Sequence, residues 1–159
     1  MRKQLLVLVV LLYLEGAFAV EFEPLNQAIA KSLGTTKASK KATKIGNTPV
    51  EVDYSAGGAR MAFIEKGTYD PNCTHTWVVG VDGKSLKVTG IRVVEMSCPH
   101  AFPCKEASFL DAYKGKSPAD IGKLDSQITN IAKATGSSEL TTKAVKRSLT
   151  AAKSLKGKL

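Results

Sequence analysis

Two short stretches carry the residues most able to do chemistry. Cys73-Thr74-His75 and Cys98-Pro99-His100 each place a cysteine and a histidine two positions apart, and Cys104 follows after Ala101-Phe102-Pro103. Side chains at i and i+2 of an extended strand share a face, so each pair could bite one soft metal ion such as zinc or copper. Cys73, His75, Cys98 and His100 would then form a four-ligand site. The usual structural zinc spacing, Cys-x₂₋₄-Cys with a matching second pair, is absent.

The competing fate is a disulfide. A bridge needs Cα atoms about 4.4 to 6.8 Å apart, and the proline-limited segment between Cys98 and Cys104 can turn back that far. Read as three successive strands, residues 73–98 put Cys73 and Cys98 at opposite ends of a sheet, roughly 20 to 25 Å apart by strand rise, and taking 84–98 as one long strand is expected to separate them too, unless Cys73 belongs to a flexible loop. The expectation is therefore Cys98–Cys104, with Cys73 left as a buried thiol. Cys73–Cys104 and Cys73–Cys98 are the lesser alternatives.

Cysteine nucleophiles need a base in contact and a third group to orient it. The chain has these residue types but no motif that assembles them: there is no Gly-x-Ser-x-Gly, His-Glu-x-x-His, phosphate loop or Cys-x-x-Cys. No cofactor is implied, and the reading leans away from an enzyme. Asn72-Cys73-Thr74 matches the N-glycosylation sequon, which matters only in a eukaryotic host.

The elements that would position these residues begin after an export signal. Arg2 and Lys3 precede an apolar run from Leu5 to Leu14, and Ala17-Phe18-Ala19 offers small residues at both recognition positions. That run is shorter than the about 20 residues a bilayer span requires. Residues 1–19 are read as a cleaved signal peptide, and 20–159 as one mature domain that is secreted or periplasmic. An oxidising compartment suits one bridge and one leftover thiol among three cysteines.

Leu25, Ala28, Ile29 and Leu33 share a helical face between Pro24 and Gly34, which predicts a short helix. The lysine-rich stretch 35–47 reads as a mobile basic linker, so 20–47 is helix plus linker. In 48–112 the period becomes two. VEVDY, RMAFIEK, TWVVGV, SLKVT and IRVVEM predict four to five antiparallel strands, with Asp82-Gly83 as a two-residue hairpin turn. Ser117-Pro118-Ala119-Asp120 resembles a helix start, and Leu140, Val145, Leu149, Ala152 and Leu155 fall on one half of a second wheel. Residues 113–159 thus predict two basic C-terminal helices, and the fold class is α+β.

Charge is unevenly spread. The whole chain is +9. Residues 45–112 carry six basic and eight acidic side chains, a net of −2, whereas 20–44 contribute +3 and 113–159 contribute +7. Basic flanks beside a near-neutral sheet point to an anionic partner: an envelope polymer, lipid head groups or an acidic protein. Lys143, Lys146, Arg147 and Lys153, on one half of the last helix, are the expected contact residues. Lysine-dominated charge suits diffuse attraction, and no aromatic interleaving supports nucleic-acid stacking. The sequence reading is an exported binding or accessory protein, with a metal-handling protein as the alternative and a small secreted enzyme third.

Overall fold

The computed structural model describes residues 22–69 and 72–159. The signal-peptide segment 1–19 lies outside the described residues. A nine-residue helix, α1 (Leu25–Leu33), leads into a five-stranded antiparallel sheet: β1 (Ser39–Ile45), β2 (Thr48–Tyr54), β3 (Arg60–Tyr69), β4 (Cys73–Asp82) and β5 (Val88–Met96). Strand order follows chain order, so the sheet is a plain meander. Helix α2 (Ala107–Leu110), helix α3 (Leu124–Gln127) and the 21-residue helix α4 (Thr135–Leu155) follow it. The predicted α+β class, short N-terminal helix, mid-chain antiparallel sheet and C-terminal helices are all present.

The two sheet faces are covered by different helices. Ala62 and Val78 point toward α1 and pack with Ala28, Ile29 and Leu33. Met61, Phe63, Trp77, Val79 and Val81 point the other way, into the main core with Val145, Leu149, Ala152 and Leu155 of α4. Interior strand β4 is consequently buried without interruption from His75 to Val81, as expected of a strand covered on both faces. Under α1, Gly80 pairs with Gly90. A Cβ on Gly80 would run into the Thr89 hydroxyl and meet Ser32 Cβ at 3.4 Å, so the glycine lets the helix sit close. Gly34 closes α1 in the left-handed region, φ 69°, at no steric cost.

Four local expectations change. The stretch read as a mobile linker contains β1, paired with β2 from Ser39↔Tyr54 to Ile45↔Thr48. Its lysines did not prevent a strand because pairing satisfies the backbone, while Lys40 and Lys44 stay in solvent and Ile45 packs against the main core; lysines are a common protection of an edge strand. The segments SLKVT and IRVVEM, read as two strands with a bulge or a further turn at Gly90, contribute to one strand, β5, and the bulge is the alternative that holds, as a register shift where Gly80 pairs with Gly90. Asp82-Gly83 opens a longer loop: Asp82 Oδ1 accepts both the Ser85 N–H and its hydroxyl at 2.7 Å, and Asp82 N–H donates to Lys87 O. Finally, the first predicted C-terminal helix is fragmented. Ser117 and Asp120 do form a capping box, but a 3-10 stretch (Pro118–Lys123) and short α3 follow, and Ile128 is extended. The Ile131 N–H is then taken by the Ser138 hydroxyl at 3.0 Å.

Candidate functional site

The open end of the β4–β5 hairpin sets the site. Because β5 runs directly antiparallel to β4, the residue that starts β4 faces the residue just beyond the end of β5. Cys73 and Cys98 lie 5.3 Å apart at Cα and are disulfide-bonded. This overturns the expected Cys98–Cys104 bridge. The distance argument failed on both strand counts because β5 is a single strand that runs back along the whole of β4, so its far end returns to the residue that starts β4. Cys104 is carried away by a 3-10 turn (Pro99–Lys105) and is fully buried as the free thiol. Its Sγ lies 3.5 Å from Ser138 Oγ and 3.8 Å from Ala134 O. Burial pushes the Cys104 thiol up, against the Ser138 hydrogen bond, so it behaves as a packed hydrophobe rather than a reactive thiolate.

The same bridge removes the metal alternative's thiolates. Cys73 and Cys98 are bonded to each other, and both nitrogens of His75 are occupied. Among the described residues, no group of three or more His, Cys, Asp or Glu stands together. His100 is exposed at the rim.

His75 faces the core side of β4 and is 1% exposed. Nδ1 lies 3.0 Å from the Cys73 carbonyl, which can only accept. Nδ1 therefore carries the proton, and Nε2 accepts from the Ser137 hydroxyl at 3.0 Å. The ring stacks on Trp77 at 5.2 Å and 17°. Burial lowers its pKa, against the pull of the Cys73 carbonyl and Glu95. The imidazole is a neutral strut that ties β4 to the first turn of α4.

That first turn borders a cleft of about 560 Å³. Tyr69, the disulfide and Ala101 form its apolar wall; Lys133, His100 and residues 134–137 form the rest. A Cβ on Gly136 would collide with the Tyr69 ring, so glycine lets the aromatic ring lie on the helix start. No side chain caps α4: Ala134 occupies the N-cap position, and Lys133 before it holds φ 65°, a left-handed conformation that costs a non-glycine residue energy. An uncapped helix start offers free N–H groups and the positive end of the macrodipole. Lys133 adds a cation, and no carboxylate among the described residues lines the cleft. This chemistry suits an anion with an apolar portion.

The four residues expected to bind an anionic partner are not equivalent. Arg147 is turned onto β3, where Nε and Nη2 reach Glu65 Oε2 at 2.8 and 2.7 Å, and Ser148 donates to Oε1 at 3.0 Å. Glu65 is 3% exposed. Its burial raises the carboxyl pKa, and the Arg147 and Ser148 interactions offset this only in part. Arg147 is thus part of the helix–sheet contact. Lys146 pairs with Asp125. Lys143 and Lys153 alone of the four remain exposed.

Sequence patterning missed Tyr69, Lys133 and the helix start, because nothing local marks a lysine as left-handed or tells which loop meets it. The uncapped Ala134-Thr135-Gly136 run was the one available hint. Asn72 of the sequon is exposed, with its carbonyl accepting from the Ser97 hydroxyl. No protein-family model, curated protein or solved structure matches this chain.

Proposed function

We propose that this is an exported binding protein for an anionic partner, and that the cleft at the head of α4 seats a small organic anion, a carboxylate or phosphate ester carrying a flat apolar group. The observation that carries this reading is the convergence of an uncapped helix start and Lys133 with the Tyr69 ring and disulfide in one half-apolar cleft. A helix N-terminus is a ready anion seat, and concave, mostly apolar clefts with a few convergent polar groups are the usual form of ligand sites. The basic flanks, including exposed Lys143 and Lys153, would speed capture by raising the local anion concentration. The disulfide supports an oxidising compartment, and no helix of the described residues is long and apolar enough to cross a membrane.

The test is a thermal-shift and calorimetric comparison of 1-naphthyl phosphate and 1-naphthoate with neutral 1-naphthol. Anions should stabilise the protein, by about 2.7 kcal/mol at a hundredfold excess over Kd, and naphthol should not. Lys133→Glu should weaken anion binding about tenfold, which corresponds to about 1.4 kcal/mol, and Tyr69→Ala should weaken it with both anions. Equal binding of naphthol, or indifference to Lys133→Glu, refutes the reading.

A further inference from the structure

The two edges of the sheet are finished differently. The β5 edge is covered by other parts of the chain: Val93 O accepts from the Glu23 N–H at 3.3 Å, and Val88 bonds with Lys116 O through its N–H and with the Gly115 N–H through its carbonyl. Strand β1 forms the opposite edge. Phe22, where the described chain begins, lies at the covered edge, its ring against Phe102.

Register decides which backbone groups of β1 face outward. The Ser55 N–H donates to Arg60 O, so Ser55 and every second residue before it, Asp53 and Glu51, bond toward β3. Tyr54, Val52, Val50 and Thr48 therefore bond toward β1, where their partners are Ser39, Lys41, Thr43 and Ile45. The N–H and C=O groups of Lys40, Ala42 and Lys44 are left pointing away from the sheet. All three residues are exposed, and among the described residues no backbone group bonds to them. Such outward groups, repeating about every 6.8 Å, are the template on which another strand pairs.

The side chains say which strand fits. On the face away from α4, Lys40 stands opposite Asp53, Ala42 opposite Glu51 and Lys44 opposite Pro49. Asp53 answers Lys40 from within the sheet. Lys44 faces a proline and forms no ion pair among the described residues. On the other face, Thr43 and Ile45 are half-buried, with Ile45 against the rim of the main core. Apolar side chains set beside them would continue that core.

We propose that the outer edge of β1 takes up an extended segment of a partner protein as a further strand, acidic on the Lys44 face and apolar on the Ile45 face. A strand added to an open edge gains affinity from main-chain bonds and specificity from alternate side chains. A second copy of β1 fits poorly: paired about Ala42, it would set Lys40 of each copy against Lys44 of the other, and like charges directly opposite are destabilising. The lysines that guard this edge against uncharged strands do not exclude an acidic one. What the α4 cleft binds has no bearing on this edge.

The test is fluorescence anisotropy with a labelled heptapeptide of alternating valine and glutamate. With glutamate opposite Lys44, the glutamate N–H groups face β1 and the valine N–H groups face away. N-methylation of the glutamates keeps every charge but should weaken binding about tenfold, as expected from losing a pair of main-chain hydrogen bonds. N-methylation of the valines should change it less than about twofold. Equal effects of the two methylations, or none from either, would overturn the proposal. Ala42→Pro removes an outward N–H and no bond of the β1–β2 ladder, a place where proline is tolerated, and should also weaken binding about tenfold. Lys44→Glu should do the same by placing like charges opposite, whereas Lys143→Glu, the same change on the exposed side of α4, should alter binding less than about twofold. Equal losses in these last two would mean that net charge alone attracts the peptide, which overturns the proposal, as does no loss in Ala42→Pro. A concentration-dependent dimer that Ala42→Pro abolishes would assign the edge to a second copy and overturn it as well. The methylated peptides are read against the unaltered protein, so they decide the matter even if a variant fails to fold.

Discussion

The two helices that cover the sheet do so with different chemistry. Helix α1 lays Ala28, Ile29 and Leu33 on Ala62 and Val78, an almost wholly apolar contact. Helix α4 also buries alanines, valine and leucines, but threads hydroxyls among them: Ser137, Ser138, Thr141, Thr142 and Ser148 are all buried. Several reach across to other elements, Ser137 to His75, Ser138 to Cys104 and Ile131, Thr142 to Tyr113, and Ser148 to Glu65. Apolar contacts are non-directional and tolerate sliding, whereas hydrogen bonds between buried groups hold only at one rotation and height of the helix. The polar seam therefore positions the head of α4 at the cleft, where a shift of an ångström would move every free N–H. The α1 face has no comparable demand on it.

The largest effect should come from breaking that seam at its charged point. Arg147→Ala leaves Glu65 buried without its cation and should destabilise by about 3 kcal/mol in urea unfolding, the low end for a broken buried pair because Arg147 is partly exposed. Replacing both, Glu65→Met with Arg147→Met, should recover most of the loss. If the double variant is as unstable as the single one, the pair is not what seats α4.

Next, the two faces should answer side-chain changes differently. Leu33→Ala on the α1 face should cost about 2 kcal/mol and Leu33→Met below about 1.5 kcal/mol. On the α4 face, Ser148→Ala removes only the hydroxyl but strands a Glu65 oxygen, and should cost about 2 kcal/mol. Tolerance of Ser148→Ala equal to that of Leu33→Met would erase the distinction between the faces.

The smallest effect is a slope. Burial lowers the His75 pKa, so the native state holds fewer protons than the unfolded chain between that lowered value and about 6.5. Stability is then fully present above about pH 6.5 and is lost as pH falls through the window. Melting temperatures measured across this range should fall less steeply for His75→Gln than for the parent protein. An unchanged slope would show that the His75–Ser137 contact does not discriminate between the two protonation states.

Much of the chain was legible without coordinates. Period-two alternation marked β2, short apolar runs bounded by turn residues marked β3 and β4, and Pro24 with Gly34 bracketed α1, because these signals act within one or two turns or pleats. The apolar half of α4 was visible as well: Val145, Leu149, Ala152 and Leu155 are buried as their spacing required. Composition misled for β1, since four lysines say nothing about whether a neighbouring strand offers its backbone.

What the sequence by itself determined is the class of elements, their order and the imbalance of charge between flanks and middle. All three follow from local periodicity or from counting. Only the tertiary structure decided which cysteines meet, because that turns on β5 running back along the whole of β4. It alone turned Arg147 inward to Glu65, left Lys133 at the mouth of a cleft, and set β1 at an open edge of the sheet. Those outcomes depend on distances between residues far apart in the chain, and such distances are set by how the sheet twists and where each helix docks.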